Sequence, residues 1–338
     1  MKISVVIPVY NVSRYISRCL DSVISQTYPN IECIIVDDRG TDNSMDIVHE
    51  KLKNYQGSIE FKVAQHERNR GLSAARNTGT DLARGEYVYY LDSDDLILSD
   101  TLNALAKPIG SERFDFVIGN YASGGRKVYF FPLCPPFEIS RSNREIRKAY
   151  LDRQWYMMAW NKLICRNFLL ENKLRFFEGL VHEDELWSFQ LACKAQSMAV
   201  VNSITYIYCM HSTSIMANLK RNTLESNIKI VAEMQSFARD NGLLEDSDVA
   251  RFVTRSRESL ARVARLYDRA AAYSVYRSYV RGTSIFNMPQ NSLTRIEQCC
   301  HLHHSFPLKI GYFYYCHVFR FLMIVQSLLQ KIKGSFSS

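Results

Sequence analysis

The order of the apolar runs limits the fold of this chain more than any other feature. ISVVIPV at 3–9, IECIIV at 31–36, IEFKVA at 59–64, EYVYYL at 86–91 and FDFVIG at 114–119 have the length and side-chain types of strands. Stretches with helical spacing lie between them: 13–26, where Ile16, Leu20, Val23 and Ile24 recur, then 44–54, and 72–84 closed by Gly85. Alternating strands and helices predict an α/β fold with a mostly parallel sheet flanked by helices. Largely apolar strands agree, because a parallel sheet is covered on both faces. Such sheets bind ligands at the carboxyl ends of their strands. Asn11, Asp37, Asp38, Asp92 and Asp94 all fall at those ends.

From about residue 120 the pattern loosens. Pro132, Pro135 and Pro136 mark an irregular connection. Helices are expected near 142–152, 166–172 and 182–195, and two short strands near 198–202 and 205–210. The helix at 182–195 opens on Glu183, Asp184 and Glu185, which suit a helix N-terminus whatever else they do. From 222 onward the spacing is helical throughout. No internal repeat or low-complexity tract occurs.

The tail has its own signature. Val318, Phe321, Val325, Leu328 and Ile332 recur at three- and four-residue steps, and residues 301–338 hold Lys309, Arg320, Lys331 and Lys333 with no acid. Arg320, Gln326 and Gln330 interrupt the run, which argues against a spanning helix. Two readings stay open for 309–333: a helix packed on the core or on a second subunit of a homo-oligomer, or an amphipathic helix lying on an anionic membrane. His301, His303 and His304 lack nearby acids and make a poor metal cluster.

A chain of 338 residues can bury a full α/β core and still carry an appendage. Its net charge of +8 favours anionic partners without choosing among them. Nine scattered cysteines with no CxxC pair argue against a zinc ribbon and for buried thiols in a reducing compartment. The N-terminal run is short, β-branched and broken at Pro8, so it reads as a first strand and not as a signal peptide. The expected location is cytoplasmic, free or peripheral on the inner face of the membrane.

A dinucleotide enzyme of this architecture needs glycines directly after the first strand. Here that position reads PVYNVSRY, and no GxxxxGK[ST] phosphate loop occurs anywhere. Something else must neutralise a diphosphate. In LDSDD at 91–95 three carboxylates crowd a strand end, where a bound cation, a helix cap or a plain turn would each account for them. Hard cations take carboxylate oxygens and are commonly shared with substrate phosphates, so Asp92 and Asp94 are candidates for Mn2+ or Mg2+.

VVIPVYN, IIVDDRGTDNS, NRGLSAARNTG, GEYVYYLDSDD, WNKLICR and HEDELW stand in this order in the chain. Together they resemble the motifs of family 2 glycosyltransferases with the GT-A fold, especially bacterial enzymes of surface-polysaccharide synthesis. The resemblance runs from residue 3 to about 216. It implies a GT-A domain at 1–216, with a donor half to about 120 and an acceptor half at 121–216, followed by an α-helical C-terminal region at 217–338. It also implies an inverting transfer of sugar from a nucleotide-sugar donor, a UDP-sugar, to a glycan or lipid-linked acceptor; nucleic acid is not an expected partner.

The resemblance carries roles with it. Pro8, Tyr10 and Asn11 would line the nucleotide site. Asp38 would accept a hydrogen bond from the base, with Asp37 beside it, and Arg76 would lie near the nucleotide. Asp92, Ser93 and Asp94 form the DxD motif, with Asp92 on the ribose or sugar side and Asp94 on the metal. Asp184 would be the catalytic base, its pKa raised by Glu183 and Glu185. YCMHSTSIM resembles the loop that closes over the diphosphate, with His211 where relatives often carry Arg. Trp160, Asn161 and Lys162 are candidate acceptor contacts, or else packing plus a surface charge. The competing reading is a non-catalytic nucleotide-sugar-binding or scaffold protein of the same fold. A two-metal phosphoesterase is a third reading, for which the chain offers no clear second ligand set.

Overall fold

A computed structural model describes residues 1–110, 112–124, 129–210, 221–267, 269–281, 306–319 and 321. The chain divides into two compact units, Met1–Leu219 and Lys220–Ser338.

The first unit is built on β1 (Ile3–Val9), β2 (Ile31–Asp37), β3 (Glu60–Gln65), β4 (Tyr87–Tyr90), β5 (Leu96–Ile97), β6 (Phe116–Gly124), β7 (Tyr129–Phe131), β8 (Ile139–Ser140), β9 (Lys162–Cys165) and β10 (Met198–Cys209). Its helices are α1 (Ile16–Ile24), α2 (Ser44–Lys53), α3 (Leu72–Leu82), α4 (Thr101–Ala106), α5 (Asn143–Leu151), α6 (Arg166–Glu171) and α7 (Glu183–Lys194). The strands form one sheet in the order β3-β2-β1-β4-β9-β6-β10-β5, with β7 added beside β6 and β8 beside β10.

The expected α/β class holds. β3, β2, β1 and β4 are all parallel, and every residue of β1 and β2 is buried. Register aligns the strand ends: Val9 pairs with Asp37, and Val6 with Tyr90. Residues just past β1, β2 and β4 therefore emerge along one edge. Beyond β4 the sheet becomes mixed, because β9 runs antiparallel to both β4 and β6. The two short strands expected at 198–210 are one strand, β10. Its register against β6 shifts between Val201 and Ile204 and again between Ile204 and Tyr206, around the exposed Asn202 and Ser203.

Helix α3 packs unusually close to β1. A methyl group built on Gly79 would lie 2.2 Å from Val6 Cγ1, so only glycine fits without a shift. The same helix carries Arg76 inward.

The second unit contains α8 (Arg221–Asp240), α9 (Ser247–Tyr267), α10 (Arg269–Val275) and α11 (Leu308–Tyr314); α10 and α11 each continue into a π-helical turn. Leu224, Val231, Leu260, Ala264, Val275, Tyr276 and Tyr315 are among its buried core. Of the tail helix expected at 309–333, only residues to 319 and Phe321 fall within the described residues, and the histidines at 301, 303 and 304 lie outside them. Among the described residues, no helix is long and apolar enough to cross a membrane.

Candidate active site

The edge where β1, β2 and β4 end holds two sets of carboxylates. At the β2 end, Asp38 is buried and nearly saturated. Its Oδ1 accepts from His66 Nδ1 at 2.6 Å and from the Arg70 amide at 2.8 Å, and its Oδ2 accepts from the Gly71 amide at 2.7 Å. A carboxylate offers about four acceptor sites, so roughly one remains. Asp37 accepts from the Arg39 amide at 2.9 Å and from Gln65 Nε2 at 2.6 Å. Asn11 sits at φ 52°, a left-handed conformation that asparagine tolerates. Its Oδ1 accepts from the Thr41 amide at 2.6 Å and tethers the loop that leads into α2. Pro8 is buried within β1 opposite Val36, whereas Tyr10 is 47% exposed at the strand's end.

At the β4 end, acids from two distant segments meet on one cation. The Arg76 guanidinium is completely buried. It donates to Asp92 Oδ1 at 2.7 Å, Glu183 Oε1 at 2.9 Å and Asp184 Oδ1 at 2.6 Å. The immediate partners of Arg76 are thus these three acids. Its Nε makes no hydrogen bond, and its guanidinium lies 5.1 Å from the Phe176 ring.

One positive charge cannot neutralise three negative ones. Burial, then the neighbouring Asp184, pushes the Glu183 carboxyl up to about 7 despite the pull of Arg76. Burial also raises Asp184; Asp92 adds to the rise, and Arg76, the Ala159 amide and Lys162 oppose it. Both carboxyls are therefore easier to protonate than free ones, because burial and mutual repulsion outweigh the one guanidinium between them.

The acid turn after β4 separates by burial. Asp92 and Asp94 are partly exposed, while Ser93 and Asp95 are buried. Asp95 accepts from the Tyr206 hydroxyl at 2.6 Å and from the Cys209 amide at 2.7 Å, which ties the turn to β10. Burial and the adjacent Asp94 and Asp92 raise its pKa well above the usual range. Asp95 is a structural group; Asp92 and Asp94 are the pair with access to solvent. Among the described residues no three His, Cys, Asp or Glu side chains form a self-contained metal cage. Two hard carboxylates fit a cation whose other ligands are phosphate oxygens and water.

Trp160, Asn161 and Lys162 are buried, which corrects the reading of Lys162 as a surface charge. Trp160 stacks on Tyr206 with ring centres 4.3 Å apart. Asn161 Nδ2 donates to the carbonyls of Gly119 and Asn120, and its Oδ1 accepts from Thr205 Oγ1 at 2.8 Å. Lys162 Nζ donates to the carbonyls of Tyr156 and Met158 and lies 4.4 Å from the Tyr156 ring centre. Burial lowers its pKa to about 7, with Asp184 pulling the other way. Of the three, Lys162 is the one whose charge acts on Asp184. His211 lies outside the described residues.

Sequence reasoning missed His66 and the amides of Arg70 and Gly71 around Asp38. The stretch HERNRG directly after β3 is their only signal.

The profile of Glycosyl transferase family 2 matches residues 4–172. EpsH of Bacillus subtilis, a putative glycosyltransferase, is 34% identical over 72% of this chain and 71% of its own length. TarS of Staphylococcus aureus, a poly(ribitol-phosphate) β-N-acetylglucosaminyltransferase, is 30% identical over 62% of this chain and 35% of its own length. The crystal structure of TarS residues 1–349 with UDP-GlcNAc is similar in fold, with a TM-score of 0.60 at 24% identity over 83% of this chain and 90% of that one. A mannosyltransferase from Pyrobaculum calidifontis in complex with GDP-Man and Mn2+ gives 0.50 at 18% identity over 98% of this chain and 88% of that one. With a family match across half its length and a relative that it largely spans, the chain belongs to glycosyltransferase family 2.

Proposed function

We propose that this glycosyltransferase moves a sugar from a UDP-sugar to an acceptor hydroxyl with inversion at the anomeric carbon, on a glycan or lipid-linked acceptor in bacterial cell-surface polysaccharide synthesis. The observation that carries the reading is the single guanidinium of Arg76, which holds Asp92 of the DxD motif and Asp184 of the ED motif within one cluster. The UDP-GlcNAc complex of TarS and the GDP-Man and Mn2+ complex of the archaeal enzyme support the donor class.

In this reading Asp184 takes the proton of the attacking hydroxyl. The acceptor oxygen bonds to the anomeric carbon as the bond from that carbon to the diphosphate oxygen breaks, and the nucleoside diphosphate leaves with the bonding pair. A base works best when its pKa approaches the working pH, and burial beside Asp92 moves Asp184 in that direction. Attack from the face opposite the leaving group inverts the centre. Asp94, with Asp92, would hold Mn2+ or Mg2+, whose chemistry is to stabilise charge on the departing diphosphate. Tyr10 and Asn11 bound the nucleotide side, and the last acceptor site of Asp38 is left for the base.

Calorimetric titration with UDP, with and without Mn2+, tests the donor reading; binding should strengthen at least tenfold with the metal. Indifference to the metal would remove Asp94 from its role. Anomeric NMR of the product tests inversion, and a retained configuration would remove Asp184 as the base.

A further inference from the structure

We infer that the second unit carries a docking face for an anionic lipid bilayer, an assignment that does not rest on the catalytic reading. Charge divides unevenly along the chain. Residues 1–219 hold 25 basic and 25 acidic side chains, and residues 220–338 hold 17 and 9, so the whole net charge of +8 belongs to the second unit. No Asp or Glu follows Glu297.

Helix α11 in that unit has two apolar sides. One is already used: Leu308, Tyr312, Tyr315 and Cys316 pack into the unit's own core, with the Tyr312 ring 5.1 Å from Tyr273 and 5.2 Å from Tyr276. The other side meets water. Ile310 is 55% exposed and Phe313 is 64% exposed, Lys309 beside them is exposed, and the Phe313 ring lies 4.6 Å from His317. Phe321, further along, is also 64% exposed.

A helix needs one apolar side to fold onto its core, and the second side does nothing for that folding. Single exposed apolar residues are ordinary, but three large ones within twelve positions of an acid-free segment are not. Charge decides what covers them. A second copy would bring a like-charged unit against this one. An anionic bilayer offers both complements: a headgroup boundary for the rings and the isoleucine, and negative lipids for the cations.

The test is flotation of the full chain with vesicles of phosphatidylcholine plus phosphatidylglycerol, against vesicles of phosphatidylcholine alone. The protein should float with the mixed vesicles only, and added salt should release it. The double variant Ile310→Ser with Phe313→Ser should bind about tenfold more weakly at an unchanged melting temperature. Lys309→Glu should weaken binding by a smaller factor, and it keeps the test open should the double variant misfold. Equal binding to both vesicle types, no binding, or variants that bind like the parent would overturn the inference. So would a parent dimer that the double variant turns into a monomer, because the face would then belong to a second copy.

Discussion

The two carboxylate sets at the strand ends are built in opposite ways. At the β2 end the protein supplies more donors than charge: His66 and two backbone amides surround Asp38. At the β4 end it supplies too few cations, with one guanidinium for Asp92, Glu183 and Asp184. The first set is close to complete and can hold a shape. The second is left short of positive charge, which suits it to hold a proton or attract a cation. A site that must bind one part of a substrate firmly and react with another has reason to contain both.

Four substitutions would break or sharpen that contrast. The largest effect is expected for Asp184→Asn, which removes the proposed base and should lower transfer by ~10²–10⁴-fold. UDP affinity should stay within a few-fold, because the β2 end is untouched; a parallel collapse of affinity, read by calorimetry, would mean the two sets work as one. Arg76→Met strips the shared cation from buried acids and should cost about 3–5 kcal/mol of stability in urea unfolding. A loss below about 1 kcal/mol would mean the acids are solvated well enough to do without it. Asp38→Ala leaves the Arg70 and Gly71 amides without their acceptor, at a cost of about 1–3 kcal/mol. UDP affinity should fall with it, and an unchanged affinity would remove Asp38 from the nucleotide site.

The smallest effect is a slope. Glu183 titrates near 7 in the folded chain and near 4.5 when unperturbed. Between those values the folded state holds a proton that the unfolded state has released, so stability falls as pH rises through that window. Glu183→Gln should flatten this part of the stability curve. A slope that survives the change would belong to another group.

Much of the sheet was legible because β1, β2 and β4 are buried on both faces, and such strands leave plain apolar runs. The strand-end acids followed from the same logic. The two-residue β5 and the short β9 were not legible as strands, because their pairing comes from strands far away in sequence. β10 read as two strands because NSI interrupts its apolar pattern at the register shifts. Within the site, burial was the hidden quantity. Lys162 and Arg76 look like surface cations in a string of letters, yet both lie inside the fold, and only tertiary structure shows which carbonyls or carboxylates receive them.

Gly79 sets how deeply α3 sits against β1. Arg76 lies one turn earlier on that helix, so a single added carbon at position 79 would lift the guanidinium away from acids it now meets at 2.6–2.9 Å. The placement of the acid-binding guanidinium is therefore set one turn along the same helix face, by the clearance between a backbone and one valine. A random-mutagenesis search for folded but inactive chains should return position 79 beside the acids themselves.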